Sequence, residues 1–387
     1  MDAPLDEETR QLEKKLKLKL DFFILPLISM VYFFSFMGRT DLGNANIAGL
    51  SEELGLSNVQ YSTAATTFLI GYCFFQLPGT LLLRMLGPNW QFGGAMIMWG
   101  LFTTLSVLIH NAASLLALRF LIGAAEAFIQ GAVFYLSFWY TYQELATRGA
   151  IFFSTASLAS SFNGLVSYGI AKNLNGKNGW LAWRWIFLVE GVMPIAASFL
   201  VLIFVPPTPE TARFGFSKEE KALAVARGSR SHNDSEAKIE WKRIVDCLFD
   251  VHFWLMTITA CAGHYCLSSL GNFLPAIIQG FGYDGVDSQL MSVIVYACAF
   301  VGTLFFARVA DKTNARGATL AASSFVAVLG YALLIGLTGT KARLAATCIV
   351  AFGSYPNIVL NLSWLAMSVP GYTKRLVRDW KRVERYH

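Results

Sequence analysis

Between Ala112 and Phe138 the chain reads AASLLALRFLIGAAEAFIQGAVFYLSF, an almost wholly apolar stretch that carries Arg119 and Glu126. Seven residues separate the two charges. That is about two helical turns, so both side chains point to one face of a helix. At bilayer depth each costs roughly 2.5–3.5 kcal/mol on insertion scales. Chains that keep such charges turn them toward a partner, a water-filled cavity or a substrate path. One reading is a buried ion pair that only ties helices together, although such pairs are weak sources of stability. The other is a transport site, and the rest of the sequence favours it.

Composition places the chain in a membrane. Of its 387 residues 55% are hydrophobic and only 14% charged, with a mean hydropathy of +0.48; soluble domains carry roughly 25% charged residues. The first apolar stretch begins at Phe22, behind the charged segment Asp6–Lys19. No small-residue cleavage site follows it, so it reads as a true span and not a removable signal. Cys73, Cys261, Cys266, Cys298 and Cys348 fall inside apolar stretches and Cys247 outside them. They show neither metal-ligand spacing nor a disulfide framework and read as small core hydrophobes.

Ten segments are each long enough to cross a hydrocarbon core of about 30 Å as a helix. They run over residues 22–46, 61–83, 91–109, 113–137, 149–171, 185–205, 253–275, 289–307, 317–337 and 344–367. Pro26 and Pro78 sit in the first two, where a bundle can accommodate them. With the N-terminus in the cytoplasm, 24 of the 31 Lys and Arg residues fall inside. Lys172, Lys177, Arg184, Lys341 and Arg343 fall outside, and Arg39 and Arg119 are embedded. This asymmetry is the positive-inside pattern. The net charge of +6 therefore reports topology and anionic lipid, and no aromatic-basic motif points to nucleic acid.

The expected architecture is an all-α membrane protein: a cytoplasmic tail (1–21), a six-span bundle (22–205), a polar cytoplasmic linker with a short amphipathic helix (206–250), a four-span bundle (251–367) and a basic cytoplasmic tail (368–387). The turn Leu83-Arg84-Met85-Leu86-Gly87-Pro88 after the second span has a counterpart from Ala307 to Gly317 after the eighth, with Arg308, Asp311, Lys312 and Arg316. Two helical halves with equivalent basic turns fit the repeat logic of secondary transporters.

On these features the chain resembles the major facilitator superfamily along nearly its whole length. The Asp311…Arg316-Gly317 turn is similar to the superfamily's cytoplasmic loop motif. More narrowly it resembles the anion:cation symporter branch and, within it, fungal allantoate permease-like proteins. The stretches that carry this are Arg39-Thr40-Asp41-Leu42-Gly43-Asn44-Ala45, Gly71-Tyr72…Phe75-Gln76-Leu77-Pro78, Arg119–Ala127, Phe138–Arg148, Trp183-Arg184-Trp185-Ile186-Phe187…Glu190-Gly191 and Gly371-Tyr372-Thr373-Lys374-Arg375, in that order. The resemblance implies that Arg39 binds a substrate carboxylate, that Arg119 is the span-four arginine, and that Glu126 is a protonatable coupling carboxylate. The chemistry agrees, because a guanidinium stays charged and grips a carboxylate bidentately. For Arg39 the alternative is an interfacial snorkelling residue at a span end.

The chain departs from the branch in two places. The branch usually has Asp immediately before the span-one arginine, and Gly38 stands there. Asp41, one turn on, where the family commonly has Asn, is the candidate replacement. The superfamily also normally has twelve spans, and this chain presents ten. The missing pair would leave polar faces of spans eight and ten toward lipid, so another copy or a partner is expected to cover them.

Further polar residues at depth divide between substrate contact and interhelical hydrogen bonding: Asn44, Gln76 and Asn163 in the first half, His264 with Tyr265, Ser268 and Asn272 in span seven, and Asn357 and Asn361 in span ten. Glu190 is expected to pair with Arg184 or Arg148 as scaffold. Two embedded arginines against one embedded carboxylate, Glu126, leave a positive site that suits an anion. No cofactor or metal is called for, and no Walker loop, HExxH or catalytic His/Ser/Asp set points to an enzyme. The leading expectation is proton-coupled uptake of a small organic anion across the plasma membrane of a fungal-type cell, with both termini cytoplasmic. Export of an acidic metabolite is the second; the absence of proline from residues 149–171, where drug:proton antiporters have a Gly-Pro-rich signature, lowers it. A truncated, non-transporting membrane protein is the third.

Overall fold

Each of the ten apolar segments is helical in the computed structural model, which describes residues 7–212, 215–231, 249, 251–313 and 315–368. Among the described residues there is no strand, and eight helical stretches are both long and apolar enough to cross a membrane. The two expected spans outside that count are long helices with more polar sequences: Tyr142–Leu174, with seven Ser, Thr or Asn residues between 154 and 167, and Val251–Gln279, with His264, Ser268, Ser269 and Asn272. The expected tail from Lys374 to Arg385 and the linker residues 213, 214, 232–248 and 250, with Cys247 among them, lie outside the described residues.

The chain divides into two compact units. The first holds residues 1–237 and 269–297. It is built from α1 (Glu7–Lys19), α2 (Leu25–Ile47), α3 (Leu50–Glu53), α4 (Asn58–Leu86), α5 (Pro88–Leu105), α6 (Ala112–Glu126), α7 (Ala132–Leu136), α8 (Tyr142–Leu174), α9 (Ala182–Phe204) and α10 (Lys218–Ser231). It also takes in residues 269–279 of α11 (Val251–Gln279) and 285–297 of α12 (Gly285–Thr313). The second unit holds the remainder of α11 and α12 with α13 (Arg316–Gly336), α14 (Thr340–Ser354) and α15 (Pro356–Ser368).

Local sequence explains where the helices start. Ser57 accepts a hydrogen bond from Gln60 N while the Gln60 side chain returns to Ser57 N, a reciprocal cap at the head of α4. Asn111 and Ser114 do the same for α6. Once formed, α4 and α6 approach unusually closely. A Cβ at Gly123 would stand 2.1 Å from the Phe68 carbonyl oxygen, and one at Gly71 2.3 Å from that of Phe120. Lipid gives helices no hydrophobic reason to associate, so such small-residue contacts carry the pairing. The same device seats residues 269–297 in the first unit. A Cβ at Gly43 would lie 2.7 Å from Asn272 O, Tyr61 donates to that oxygen at 3.0 Å, and Gln289 Nε2 donates to Asn44 O at 3.3 Å.

The expected tail before Phe22 is not a separate segment. One π-turn, Leu20–Ile24, joins α1 to α2. Leu16, Leu20 and Ile24 recur every four residues and are fully buried, in one apolar cluster with Ala212 and Ala224. The linker's expected amphipathic helix is α10, with Ala224, Glu220 and Arg227 buried. Charged pairs tie these pieces to the start of α8. Lys17 meets Glu144 at 2.7 Å and Lys19 meets Glu220 at 2.7 Å; Arg148 holds Asp21 with two bonds of 2.9 and 2.8 Å, and Arg227 also reaches Glu144. Burial pulls the Glu220 carboxyl up, but the Lys19 ammonium and the Ser217 amide outweigh it and hold it below the usual carboxylate range.

Two outcomes follow. Gly123→Leu should abolish monodisperse protein on size-exclusion chromatography in detergent, whereas Gly94→Leu, where a Cβ meets nothing within 4 Å, should be tolerated; equal behaviour of the two would contradict the close-approach account. A free Glu titrates at about 4.3, and the Glu220 contribution is full above that value and lost as pH falls through the lowered folded value. The melting temperature of the protein should therefore exceed that of Glu220→Gln by a constant gap from about pH 5 upward, and the gap should close on acidification. A gap that widens in acid would contradict this.

Candidate functional site

Helix α2 gathers the site because its polar residues recur on two faces. Ser35 and Arg39 are four apart and share a face; Asp41, two residues beyond Arg39, is turned by about 200°. On the first face Glu126 of α6 is fully buried, and its Oε2 accepts from Ser35 Oγ at 2.9 Å and from Arg39 Nε at 3.1 Å. Three rings surround the Arg39 guanidinium: Phe36 at 4.5 Å, Tyr72 at 4.6 Å and Phe68 at 5.7 Å from their centroids. Aromatic faces attract a cation, by about 2 kcal/mol when desolvated. Arg39 is thus embedded and paired, not snorkelling; its side chain is 23% exposed.

On the second face Asp41 is 1% exposed and takes a 2.8 Å bond from Asn163 Nδ2 of α8, which also donates to Met37 O and Thr40 Oγ1. Glu190 of α9 lies within hydrogen-bonding reach of Asp41 and accepts from Ser167 Oγ at 3.2 Å. Arg119 of α6 is buried close enough to Asp41, Glu126 and Glu190 to feel all three charges, with the Phe187 ring 5.9 Å away. Gly38 stands between the two faces: a Cβ there would lie 3.6 Å from Glu126 Oε1 and 3.8 Å from Asp41 Oδ2. The carboxylate of Asp41 therefore occupies the neighbourhood of an aspartate at position 38.

Several expectations need correction. Glu190 pairs with neither Arg184 nor Arg148. Arg184 bonds Glu53 at 2.8 Å and Val107 O at 2.7 Å, and Arg148 is taken by Asp21. Six residues separate Arg184 from Glu190, which puts them about 240° apart around α9. The direct ion-pair partner of Glu126 is Arg39, not Arg119. The expected surplus of positive charge is also absent: three carboxylates, Asp41, Glu126 and Glu190, are buried among the two arginines. Charge at depth in an apolar run, the signal that singled out Glu126, marks Glu190 equally. The contributions of Ser35, Tyr72 and Ser167 carried no such signal.

The structure thus brings together Arg39, Asp41, Arg119 and Glu126. Asn44 is buried in α2, where its carbonyl meets Gln289, and Gln76 is exposed on α4. The others belong to the second unit. His264 is exposed, its Nδ1 2.9 Å from Ala260 O of its own helix. Asn357 accepts from Ser323 at 2.6 Å, Asn361 donates to Thr259 at 3.0 Å, and Asp311 meets Arg316 at 4.0 Å across the turn before α13. Among the described residues no cluster of His, Cys, Asp and Glu is arranged to hold a metal ion.

Comparison with known proteins identifies the family. The family model described as Major Facilitator Superfamily matches residues 28–375. A fungal protein named MFS transporter prlL is 33% identical over 364 residues, 91% of this chain and 72% of that protein. The high-affinity nicotinic acid transporter of Saccharomyces cerevisiae is 30% identical over 376 residues, 97% of this chain and 70% of that protein. Among solved structures, a bacterial homologue of the human lysosomal transporter Spinster, inward-facing and unoccupied, superposes with a TM-score of 0.68 at 15% identity over 87% of this chain and 73% of that one, a likeness of fold.

If Arg39 and Glu126 compensate each other, removing one strands a buried charge. Arg39→Leu and Glu126→Leu should each cost about 3–5 kcal/mol in denaturant titrations in micelles, and the double variant less than their sum. Additive losses would show that the pair is not coupled.

Proposed function

Because the chain belongs to the Major Facilitator Superfamily, we propose that it is a secondary active transporter that takes up a small organic anion together with protons. The observation that carries this reading is the state of the two arginines. Arg39 and Arg119 each keep a terminal nitrogen, Nη2, buried and without a hydrogen bond. A buried donor without an acceptor costs about 1–3 kcal/mol or more, and a guanidinium presents its nitrogens in a fork that fits a carboxylate. A substrate carboxylate supplies the missing acceptors. One relative at 30% identity is named for nicotinic acid, itself a small carboxylate, which supports that class.

Glu126 gives the anion a competitor. In the structure its Oε2 holds Arg39 and Ser35, while Oε1 is buried without a donor. A proton on Oε1 removes the charge that binds Arg39 and frees the guanidinium for substrate; loss of the proton restores the ion pair and expels it. Asp41 is the second proton carrier, in place of the aspartate that Gly38 lacks. The motifs around Arg39, Arg119 and Trp183 support assignment to the anion:cation symporter branch, near the fungal allantoate permease-like proteins. The 24 Lys and Arg residues on one side of the sequence topology support cytoplasmic termini, in the plasma membrane as expected for an importer.

Uptake of a labelled carboxylate panel that includes nicotinate, in cells expressing the chain, tests this. Arg39→Ala and Arg119→Ala should each abolish uptake without loss of membrane insertion, and Lys should not rescue a bidentate contact. Glu126→Gln should stop accumulation driven by a pH gradient while exchange of preloaded substrate continues. Unchanged uptake in both alanine variants would overturn the anion site.

A further inference from the structure

The face of α2 that turns away from Arg39 carries a second acid pair. Asp41 and Glu190 are 1% and 4% exposed, and each places a carboxyl within hydrogen-bonding reach of the other. Their outer oxygens are held: Asn163 Nδ2 donates to Asp41 Oδ1 and Ser167 Oγ donates to Glu190 Oε1. Their remaining oxygens, Asp41 Oδ2 and Glu190 Oε2, are buried and meet no N–H or O–H donor. Ionised carboxylates only accept hydrogen bonds, so two of them in contact and away from water are stable only with a proton between them, as in the shared-proton dyads of acid proteases.

We infer that Asp41 and Glu190 share one proton, and that this pair, not Asp41 alone, is a proton-coupling site of the transporter. The coupling half of this inference rests on the reading above; the shared proton does not. The groups that face the pair are Arg119 and Glu126 from α6, Tyr61 from α4 beside Arg119, and Asn163 and Ser167 from α8, while Arg39 pairs with Glu126 on the other face of α2. Two guanidiniums against three carboxylates leave one net negative charge. One proton on the pair brings the cluster to neutrality. The unprotonated cluster repels an anion and engages Arg119 with Asp41. The protonated cluster frees Arg119 for a substrate carboxylate, so proton loading favours anion binding, and the proton returns to water on the far side with the substrate.

A metal cation is the competing occupant, since oxygens also ligate hard cations. The geometry disfavours it. Asn163 already aims its NH₂ group at Met37 O, Thr40 Oγ1 and Asp41 Oδ1, so the oxygens that would surround a cation are turned to a nitrogen.

Infrared difference spectroscopy on the purified full chain near neutral pH tests the shared proton without reference to transport. A protonated-carboxyl C=O band, shifted in heavy water, is expected in the native protein. It should vanish in Asp41→Asn and equally in Glu190→Gln, because either change removes the shared acid, and should persist in Glu126→Gln. Absence of the band from the native protein, its survival in either single variant of the pair, or its displacement by sodium chloride would overturn the shared proton; the first needs no variant to fold. In cells, Asp41→Asn and Glu190→Gln should lose acceleration of uptake by an inward pH gradient and keep exchange. Gradient acceleration intact in both would overturn the coupling role. Failure of the native chain to take up any carboxylate would instead fall on the transport reading, with the infrared result still deciding the proton.

Discussion

Burying ionic groups where water cannot reach them is the constraint around which the first unit is organised. An unpaired charge at that depth is costly, and the chain meets the cost by placing Arg39, Asp41, Arg119, Glu126 and Glu190 within reach of one another across α2, α6 and α9. Compensation is incomplete. Two guanidinium nitrogens and three carboxyl oxygens stay buried without a hydrogen bond. A scaffold that served only stability would gain by replacing these groups with apolar ones. Groups left half satisfied are what a site needs in order to exchange a proton or accept an anion.

The helices around the cluster are positioned by backbone approach. Gly71 and Gly123 let α4 touch α6, which sets Tyr72 and Phe68 against Arg39 and carries Arg119 and Glu126 inward. Outside the apolar region, ionic contacts do the fastening: α1, α10 and the start of α8 are joined by Lys17, Lys19, Arg148 and Arg227 with their acidic partners. Neutral close approach within the spans and charge pairing beyond them follow from the two solvents the chain meets.

That the ten apolar segments are helical and that Arg119 and Glu126 turn inward were legible in the sequence because length, apolar runs and isolated charges are one-dimensional signals. Which charge meets which was not. Spacing suggested that Arg119 and Glu126 act together, yet the ion pair runs from α6 to α2. Nearness in sequence suggested Arg184 for Glu190, yet Arg184 leaves the cluster for Glu53. Such choices depend on helix rotation and neighbours, which only the packed bundle defines. The charged stretch before Phe22 misled for a related reason: its lysines mask the four-residue recurrence of Leu16, Leu20 and Ile24 that makes it a helix with a buried face.

The central claim is that anion binding and proton loading favour each other through the same buried charges. It is tested most directly by mixing purified protein with a small carboxylate in weakly buffered detergent solution and recording the pH change on binding. The account predicts net proton uptake that saturates with the anion and is reduced in Asp41→Asn. Binding with no proton taken up, or with protons released, would contradict it.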